Sequence, residues 1–382
     1  MTRVLAIADA DSYLKWSAAT LDRLPATWER RQLLISSPVT PSAEQARAAT
    51  EEPVPRFSWW RLRSLLRRDP PDVLLLACTG PTVRALTSLA VARGPERPVL
   101  VSGLPGISIP ASGRAVELRR DCDLLVVHSV RERAAFTRLA AAGAPGLQVA
   151  LSHLPFLSGR GAPRARSAGT DVVFAAQAKV PPEARDREAI LRGLAQVQPS
   201  GSAVVKVRAT AGEQQTHHED HPYPRLWSAL VESGQVADAA VRFRAGPMQA
   251  ALASARCLVT VSSTAALEAI DAGVPVLVLS DFGVDESMIN VVFRGSGCLG
   301  TLADLRAGRA FRPDPAWLTE NYFHHRDQDD LVAVLESLLG DRRSASLPIR
   351  PRARPDRAGA RGLLRLVVPG SWAGLARRGH RR

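Results

Sequence analysis

Short apolar segments alternate with amphipathic segments along most of this chain. The alternation begins with RVLAIAD at residues 3–9 and starts again, after an interruption, with DVVFAAQ at residues 171–177. Apolar runs of about four to eight residues predict buried strands, and the amphipathic segments between them predict crossover helices. The pattern predicts an α/β protein with two tandem Rossmann-like, doubly wound domains that face a cleft. Ligands of such sheets bind at the carboxyl ends of the strands.

Composition places the domain boundaries. The segment SGRGAPRARSAGT has the Gly, Pro, Arg and Ser content of a linker, and DDLVAVLESLLGD at 329–341 is predicted to be the last helix of the second domain. We therefore predict a first Rossmann-like domain at 1–157, a linker at 158–170, a second Rossmann-like domain at 171–341 and a basic tail at 342–382.

The net charge of +13 is concentrated in this tail. Residues 341–382 contain twelve arginines and two aspartates, so the rest of the chain is nearly neutral. A nucleic-acid partner is disfavoured, because binding it needs a basic folded surface. The Arg, Pro and Gly content predicts a largely disordered tail. Its end, GLLRLVVPGSWAGLARRGHRR, suits either a peripheral contact with an anionic membrane or a solvated extension.

Three features that the sequence lacks predict the location of the protein. No apolar run reaches the roughly 18–20 residues that span a bilayer, and the N-terminus MTRVLAIADADSYLKW does not resemble a signal peptide. The four cysteines lack metal-ligand spacing and are expected to be reduced. These features predict a cytoplasmic protein, with the tail as the one candidate for contact with the inner face of the membrane.

Three consecutive hydroxyl residues, Ser262, Ser263 and Thr264, separate an apolar strand from an alanine-rich helix in TVSSTAALEAIDAGVPVLVLSDFG. One interpretation is that Ser262 or Ser263 caps the helix. The other is that hydroxyls, backbone N–H groups and the helix dipole hold a phosphate there.

Two cations follow a neighbouring predicted strand, AVVKVR. Lys206 and Arg208 alternate along it, so their side chains are expected on one face, where they could flank a diphosphate or lie in solvent. The long loop after the strand carries several His and acidic residues, among them Glu213, His217 and Glu219. Clustered histidines in a loop rarely face one centre, so we predict no metal site.

Candidates for a general base come from the first domain. Asp9 and Asp11 follow the first strand in DADS, His128 follows a later strand, and Glu117 lies in a glycine-containing, loop-like segment. A base must reach the proton that it removes, and strand ends face the predicted cleft. Asp11 is the preferred candidate, although a helix N-cap is the simpler role for it.

The segment from Glu268 to Val276 carries the pattern E-A-x-x-x-G-x-P-V. It resembles the donor-binding signature of GT-B glycosyltransferases. Further stretches extend the resemblance to roughly residues 1–340, namely ADADSYLKW, SIPASGRAVELRRDCDLLVVHS and KVRATAGEQQTHHEDHPY. Together they are most similar to a bacterial glycosyltransferase family and, more distantly, to the enzymes that build capsule and cell-surface polysaccharides. The resemblance implies a GT-B-like fold with an acceptor-side first domain and a nucleotide-sugar-binding second domain.

The resemblance also implies roles for individual residues. The hydroxyls at 262–264 would hold the donor phosphates, Glu268 would bond the nucleotide ribose, and Lys206 and Arg208 would neutralise the leaving diphosphate. Many retaining members carry a second glutamate where this chain has Thr260, so an inverting mechanism is expected.

The resemblance therefore implies metal-independent transfer of a sugar from a nucleotide-sugar, without a cofactor. The acceptor would be a glycan or a lipid-linked intermediate of cell-surface polysaccharide synthesis. Two alternatives stay open: a sugar-nucleotide epimerase of the same fold, and a non-catalytic binding or assembly protein with a degenerate cleft.

Overall fold

The structure is a computed structural model, and its chain forms two compact units. Unit 1 comprises Met1–Phe156 and His325–Arg382, and unit 2 comprises Leu157–His324. The structure describes residues 1–43, 46–47, 50, 53–89, 96–157, 169–199, 202–207, 219–349 and 357–367. Most of the predicted linker, 158–168, lies outside the described residues. Among the described residues, no helix is long and apolar enough to cross a membrane.

Unit 1 is built on a sheet of parallel strands in the order β3-β2-β1-β4-β5-β6-β7. The strands are β1 (Arg3–Ala8), β2 (Glu29–Ile35), β3 (Arg56–Phe57), β4 (Val73–Ala77), β5 (Val99–Gly103), β6 (Leu124–Val127) and β7 (Gln148–Leu151). The helices of its first segment are α1 (Asp11–Leu21), α2 (Trp59–Arg68), α3 (Gly80–Leu86), α4 (Gly113–Glu117) and α5 (Val130–Gly143).

Alternate residues of these strands feed two apolar clusters, one on each face of the sheet. Leu74 and Leu76 of β4 pack with the cluster that includes α2, α3 and α5. Val73 and Leu75 pack with the cluster that includes α1. Because both faces are covered, the strands are apolar throughout, as a parallel sheet requires.

Unit 2 contains the second parallel sheet, with the order β10-β9-β8-β11-β12-β13. Its strands are β8 (Asp171–Ala175), β9 (Ala203–Lys206), β10 (Val241–Arg244), β11 (Ala255–Thr260), β12 (Val276–Leu279) and β13 (Leu299–Gly300). Its helices are α6 (Ala184–Ala195), α7 (Tyr223–Glu232), α8 (Met248–Ala253), α9 (Ala265–Asp271), α10 (Leu302–Arg306) and α11 (Pro315–Glu320), with short 3-10 turns at Asp238–Ala240 and Val291–Phe293. In both sheets the order reverses between the first and fourth strand, as in Rossmann-like folds. The predicted α/β class is confirmed.

The structure differs from the sequence-based division at the last predicted helix of the second domain. Helix α12 (Leu331–Arg343) follows a 3-10 turn at Arg326–Gln328 and belongs to unit 1. Leu331 and Leu335 pack in the same cluster as Val4 and Leu14. The Asp330 carboxylate, just before the helix, accepts a hydrogen bond from Leu151 N at 2.7 Å. An apolar stripe predicts a helix but does not show which sheet the helix covers. The sequence-based division assigned this helix to the second domain because it follows that domain in the chain, and this assignment is wrong.

Within the tail that is predicted to be largely disordered, the structure describes residues 357–367 as an ordered segment. They form helix α13 (Arg357–Val367), which contacts α3 and α2, with Leu366 buried in the cluster of unit 1. A Cβ atom at Gly362 would lie 1.9 Å from Pro81 O, so the missing side chain allows this close approach. Residues 350–356 and 368–382 lie outside the described part.

Candidate active site

The carboxyl edge of the unit 2 sheet brings several predicted residues together. Strands β8 and β11 are neighbours, and the chain leaves them in opposite directions, which makes this the topological switch point. Gln177 follows β8, and its amide nitrogen donates to the carbonyl oxygen of Ser262 after β11. This contact joins the two strand ends and fixes the start of the hydroxyl turn.

The three hydroxyls of the turn have different environments. Ser262 is buried, and its Oγ donates to Ile289 O, so the structure contradicts its predicted role as a phosphate ligand. Ser263 Oγ accepts from Ala265 N at 3.2 Å, but Ser263 lies one residue before the N-cap, which is Thr264, so the predicted cap by Ser262 or Ser263 is not formed. Thr264 forms no side-chain cap hydrogen bond, and both Ser263 and Thr264 are only half-buried. Two of the three hydroxyls therefore remain at the surface of the edge.

Lys206 is the last residue of β9 and lies opposite Ala175 of β8 in the sheet register. It is 7% exposed, and its Nζ donates to Val207 O at 2.7 Å. Adjacent strands are about 4.8 Å apart, so with β8 between them Lys206 and the end of β11 are separated by about 10 Å. This is a span that one diphosphate and its attached groups can cover. Arg208 lies outside the described residues.

The loop between β9 and α7 is described only at its end. Glu213 and His217 lie outside the described residues. Glu219 forms an ion pair of 2.7 Å with Arg187, whose side chain is 2% exposed. Arg187 also donates to the carbonyl oxygens of Pro181, Ala178 and His221. Glu219 therefore contributes to the packing of the loop end, and the structure argues against a direct role at the donor.

Glu268 and Thr260 lie close to the same edge. Glu268 is half-buried in the first turn of α9. Thr260, which replaces a glutamate of the retaining pattern, is fully buried, and its hydroxyl donates to Ala175 O at 3.2 Å. It offers no carboxylate and faces the interior, consistent with the departure from the retaining pattern.

In unit 1 the corresponding switch point lies between β1 and β4 and is bridged by Asp9. The carboxylate is fully buried and accepts hydrogen bonds from Thr79 N at 2.9 Å and Thr79 Oγ1 at 2.6 Å. Burial raises the pKa of Asp9, although the threonine hydrogen bonds oppose the shift. Folding raises this pKa, so protonated Asp9 contributes to the free energy of unfolding at low pH. That contribution is lost as the pH rises through the folded-state pKa of Asp9. Asp9 is inaccessible to an acceptor, so the structure argues against it as a general base.

Asp11 and Glu117 are the accessible carboxylates among the candidates. Asp11 is the first residue of α1, not its N-cap, which is Ala10. Its side chain is 36% exposed and lies 2.9 Å from Lys15 Nζ. Glu117 is exposed at the end of α4, so the predicted loop-like segment is helical there.

His128 is 1% exposed, and both nitrogens of its ring have partners. Nδ1 lies 2.7 Å from Ser152 O, and Nε2 lies 2.8 Å from Trp16 Nε1. A carbonyl oxygen only accepts and an indole N–H only donates, so the neutral Nδ1–H tautomer satisfies both contacts. The histidine cannot take a proton from a substrate in this arrangement, which contradicts its predicted role as a base.

Comparison with sequence families identifies one match, which spans residues 4–338. The family is described as "Putative glycosyltransferase (DUF6716)". The chain belongs to this family. The recognition of a glycosyltransferase family from sequence is thereby confirmed. Comparison with curated protein sequences finds no match.

Solved structures share the fold of this member of the glycosyltransferase family at low sequence identity. The S. aureus MnaA-UDP co-structure has 10% identity and a TM-score of 0.54, covering 93% of this chain and 100% of that chain. A Neisseria meningitidis UDP-GlcNAc 2-epimerase bound to UDP-GlcNAc has 9% identity and a TM-score of 0.51, covering 89% and 99%. The N-terminal domain of Candida albicans trehalose-6-phosphate phosphatase has 10% identity and a TM-score of 0.52, covering 91% and 97%.

Sequence reasoning missed part of the carboxyl edge of the unit 2 sheet in this glycosyltransferase, the loop after β12. Ile289 has φ of 58°, a left-handed conformation that is costly for a β-branched residue. Asn290 is fully buried; its Nδ2 donates to Gly283 O at 3.0 Å, and its Oδ1 accepts from Asp285 N at 3.1 Å. These contacts hold Ile289 O against Ser262. The sequence signal was DFGVDESMIN, which is rich in turn residues immediately after a buried strand.

A conservative substitution tests the packing beside Arg187. Tyr223 is fully buried, and its hydroxyl has no hydrogen-bond partner among the described residues. Replacing it by phenylalanine is expected to leave the free energy of unfolding unchanged or raise it by about 1 kcal/mol, since an unsatisfied polar group is removed. Urea unfolding would measure this, and a loss of stability would reveal a partner for the hydroxyl. Ser228→Ala, on the exposed face of the same helix, is the control.

Proposed function

We propose that this protein transfers a sugar from a nucleotide-sugar to a hydroxyl group of a glycan or lipid-linked acceptor. The observation that carries the proposal is the family match over residues 4–338. The geometry of unit 2 supports it, because Lys206 and the hydroxyls of Ser263 and Thr264 lie at the carboxyl edge of the sheet, beside the switch point where Rossmann-like sheets bind nucleotides.

The donor is assigned to unit 2. Lys206 supplies positive charge for the diphosphate, and the hydroxyls of Ser263 and Thr264 supply hydrogen bonds to it. Glu268 accepts from the ribose hydroxyls. Negative charge grows on the departing diphosphate as the bond to the anomeric carbon breaks, so a fixed cation there stabilises the transition state more than the ground state.

The acceptor side is assigned to unit 1, with Asp11 as the general base that removes the proton of the acceptor hydroxyl. The Asp11 side chain is partly exposed, whereas Asp9 and His128 are fully engaged within the fold. Attack by this hydroxyl as the diphosphate leaves inverts the anomeric centre. The lysine and the hydroxyls perform the charge stabilisation, so the reaction needs no metal ion and no cofactor.

The proposed setting is cell-surface polysaccharide synthesis on the cytoplasmic side of a membrane, with the basic tail at 342–382 near the lipid. The support for this finer proposal is the resemblance to polysaccharide-building enzymes and the concentration of arginine in the tail. Nucleic acid is not a proposed partner.

A thermal-shift screen with nucleotides and their sugars, with and without EDTA, tests the donor site. The uridine nucleotides come first, because two proteins of the same fold were determined with UDP or UDP-GlcNAc. A ligand at about 100 times its Kd is expected to stabilise the native state by about 2.7 kcal/mol. The shift should persist in EDTA and be strongly reduced in Lys206→Met and Ser263→Ala.

The matched controls are Arg306→Met and Ser228→Ala, which alter exposed residues of unit 2. Both should retain the full shift. Absence of a shift with every nucleotide would overturn the donor site. Conversion of the sugar-nucleotide without any acceptor would identify the epimerase alternative instead and would overturn the proposed transfer.

A further inference from the structure

Helix α2 presents a basic and aromatic surface to solvent. Trp59, Leu62 and Leu66 are buried against the unit 1 sheet. On the opposite side of the helix Trp60 is 60% exposed. Four arginines share that exposed side, namely Arg61, Arg63, Arg67 and Arg68.

Helix α13 presents a similar outer surface beside it. Gly362 and Leu366 are buried, whereas Leu364 is 62% exposed and Arg361 and Arg365 lie on the same outer side. The two helices are in contact, and both cover the same apolar cluster, with Leu65 and Leu363 partly buried against it. Because each helix turns its inner side to this cluster, their outer sides form one continuous surface. We call this surface, formed by residues 60–68 and 360–367, the basic face.

The charge of the basic face has a single sign. Neither helix contains an acidic residue. Asp69, which follows α2, is paired with Arg3 and Arg31, and Asp356, which precedes α13, lies outside the described residues. The Arg61 guanidinium lies 4.2 Å from the centre of the Phe57 ring, and that of Arg63 lies 6.0 Å from the Trp60 ring. Arg61 and Arg63 therefore lie over aromatic rings, and within the described part of the chain neither of them forms an ion pair.

We propose that the basic face docks on a lipid bilayer that carries anionic phospholipids. Arginines complement the charge of the headgroups, while Trp60 and Leu364 enter the boundary between headgroups and acyl chains. A nucleic acid would match the charge but would leave these two large apolar side chains in water. This inference does not rest on the transfer reaction. It also extends the predicted membrane contact from the tail, which contains α13, to α2.

Cosedimentation of the full-length protein with vesicles tests the proposal. Binding is expected with phosphatidylcholine mixed with phosphatidylglycerol, to decline with added salt, and to be weak with phosphatidylcholine alone. Each arginine removed should weaken binding about five-fold, so Arg63→Gln with Arg67→Gln should weaken it about 25-fold. Trp60→Ser and Leu364→Ser should each weaken it further. These residues are exposed, and circular dichroism would verify the fold of every variant.

The control is Arg138→Gln with Arg306→Gln, which removes two exposed arginines elsewhere and should change binding little. Unchanged vesicle binding in the α2 double variant would overturn the proposal, because residues 368–382 would then suffice. Equal binding to both vesicle types would also overturn it. So would binding to a single-stranded oligonucleotide that is stronger than binding to the vesicles and is lost in the same α2 variant.

Discussion

Replacing Asp11 by asparagine is expected to lower the kcat of sugar transfer by about 10²–10⁴-fold, the usual contribution of a positioned general base. Asparagine keeps the size of the side chain at the first position of α1 but cannot take up a proton. The proposed donor site lies on residues of unit 2, so nucleotide binding measured by thermal shift should be unchanged. A steady-state assay with a synthetic acceptor would show the loss in kcat rather than in the KM for the donor.

Asp22→Asn is the matched control, since it makes the same change at the other end of α1, where the side chain is exposed. It should retain full activity. Glu117→Gln separates the two accessible candidates: a large loss there, with activity preserved in Asp11→Asn, would transfer the role of base to Glu117. A kcat for Asp11→Asn within about three-fold of the native value would contradict the assignment, being far below the effect of a lost general base.

Replacing Arg97 by methionine is expected to lower the free energy of unfolding by about 3–5 kcal/mol. Arg97 and Asp123 form a bidentate ion pair, with distances of 2.6 and 2.7 Å and exposed fractions of 0% and 4%. Methionine fills part of the volume but leaves the Asp123 carboxylate buried without its counter-charge. The arginine also donates to Pro348 O, so the segment after α12 should loosen as well.

Urea unfolding followed by circular dichroism would measure this loss. Asp123→Asn added to Arg97→Met removes the buried negative charge and keeps an acceptor for Leu100 N, which donates to Asp123 at 2.8 Å in the native protein. The double variant should recover part of the stability. Arg306→Met, at an exposed position, is the control for loss of an arginine. A loss below about 1 kcal/mol in Arg97→Met would mean that this buried pair behaves like a surface ion pair.

The fold was predictable because its strands and its helices have different hydrophobic patterns. Segments such as Val73–Ala77 and Val276–Leu279 are apolar at every position, since both faces of each sheet are covered. Their alternation with amphipathic helices leaves few topologies, and right-handed crossovers then yield a doubly wound sheet.

The C-terminal region was not predictable in the same way. The leucines of α12 form an apolar stripe that could pack on either sheet. The helix packs on unit 1 through contacts between residues distant in sequence, such as Asp330 with Leu151. In α13 the arginines and glycines suggested disorder, but Gly362 is the residue that permits contact with Pro81. The amino-acid composition of a segment does not distinguish a glycine in a flexible chain from a glycine that allows close packing.

The position of the candidate site in the fold was predicted, but which of its side chains are accessible was not. Strand ends and polar turns placed Lys206 and the hydroxyl residues at one edge of the sheet, and the structure brings them there. Which hydroxyl faces inward depends on the loop after β12, whose backbone holds Ile289 O against Ser262. Likewise, His128 and Asp9 are polar residues at strand ends whose partners, Ser152 and Thr79, are distant in sequence.

Unit 1 is discontinuous in sequence, and this affects how the chain emerges from the ribosome. Helix α12 and Leu347 close one side of the unit 1 sheet, but they are translated after the whole of Leu157–His324. Unit 2 is one uninterrupted segment and can bury its core while that side of the earlier sheet is still uncovered. Unit 2 can therefore complete its core before unit 1, unlike the usual order in which the N-terminal domain folds first. Until α12 is synthesised, the apolar cluster that contains Val4, Leu14 and Leu75 lacks the leucines with which this helix completes it.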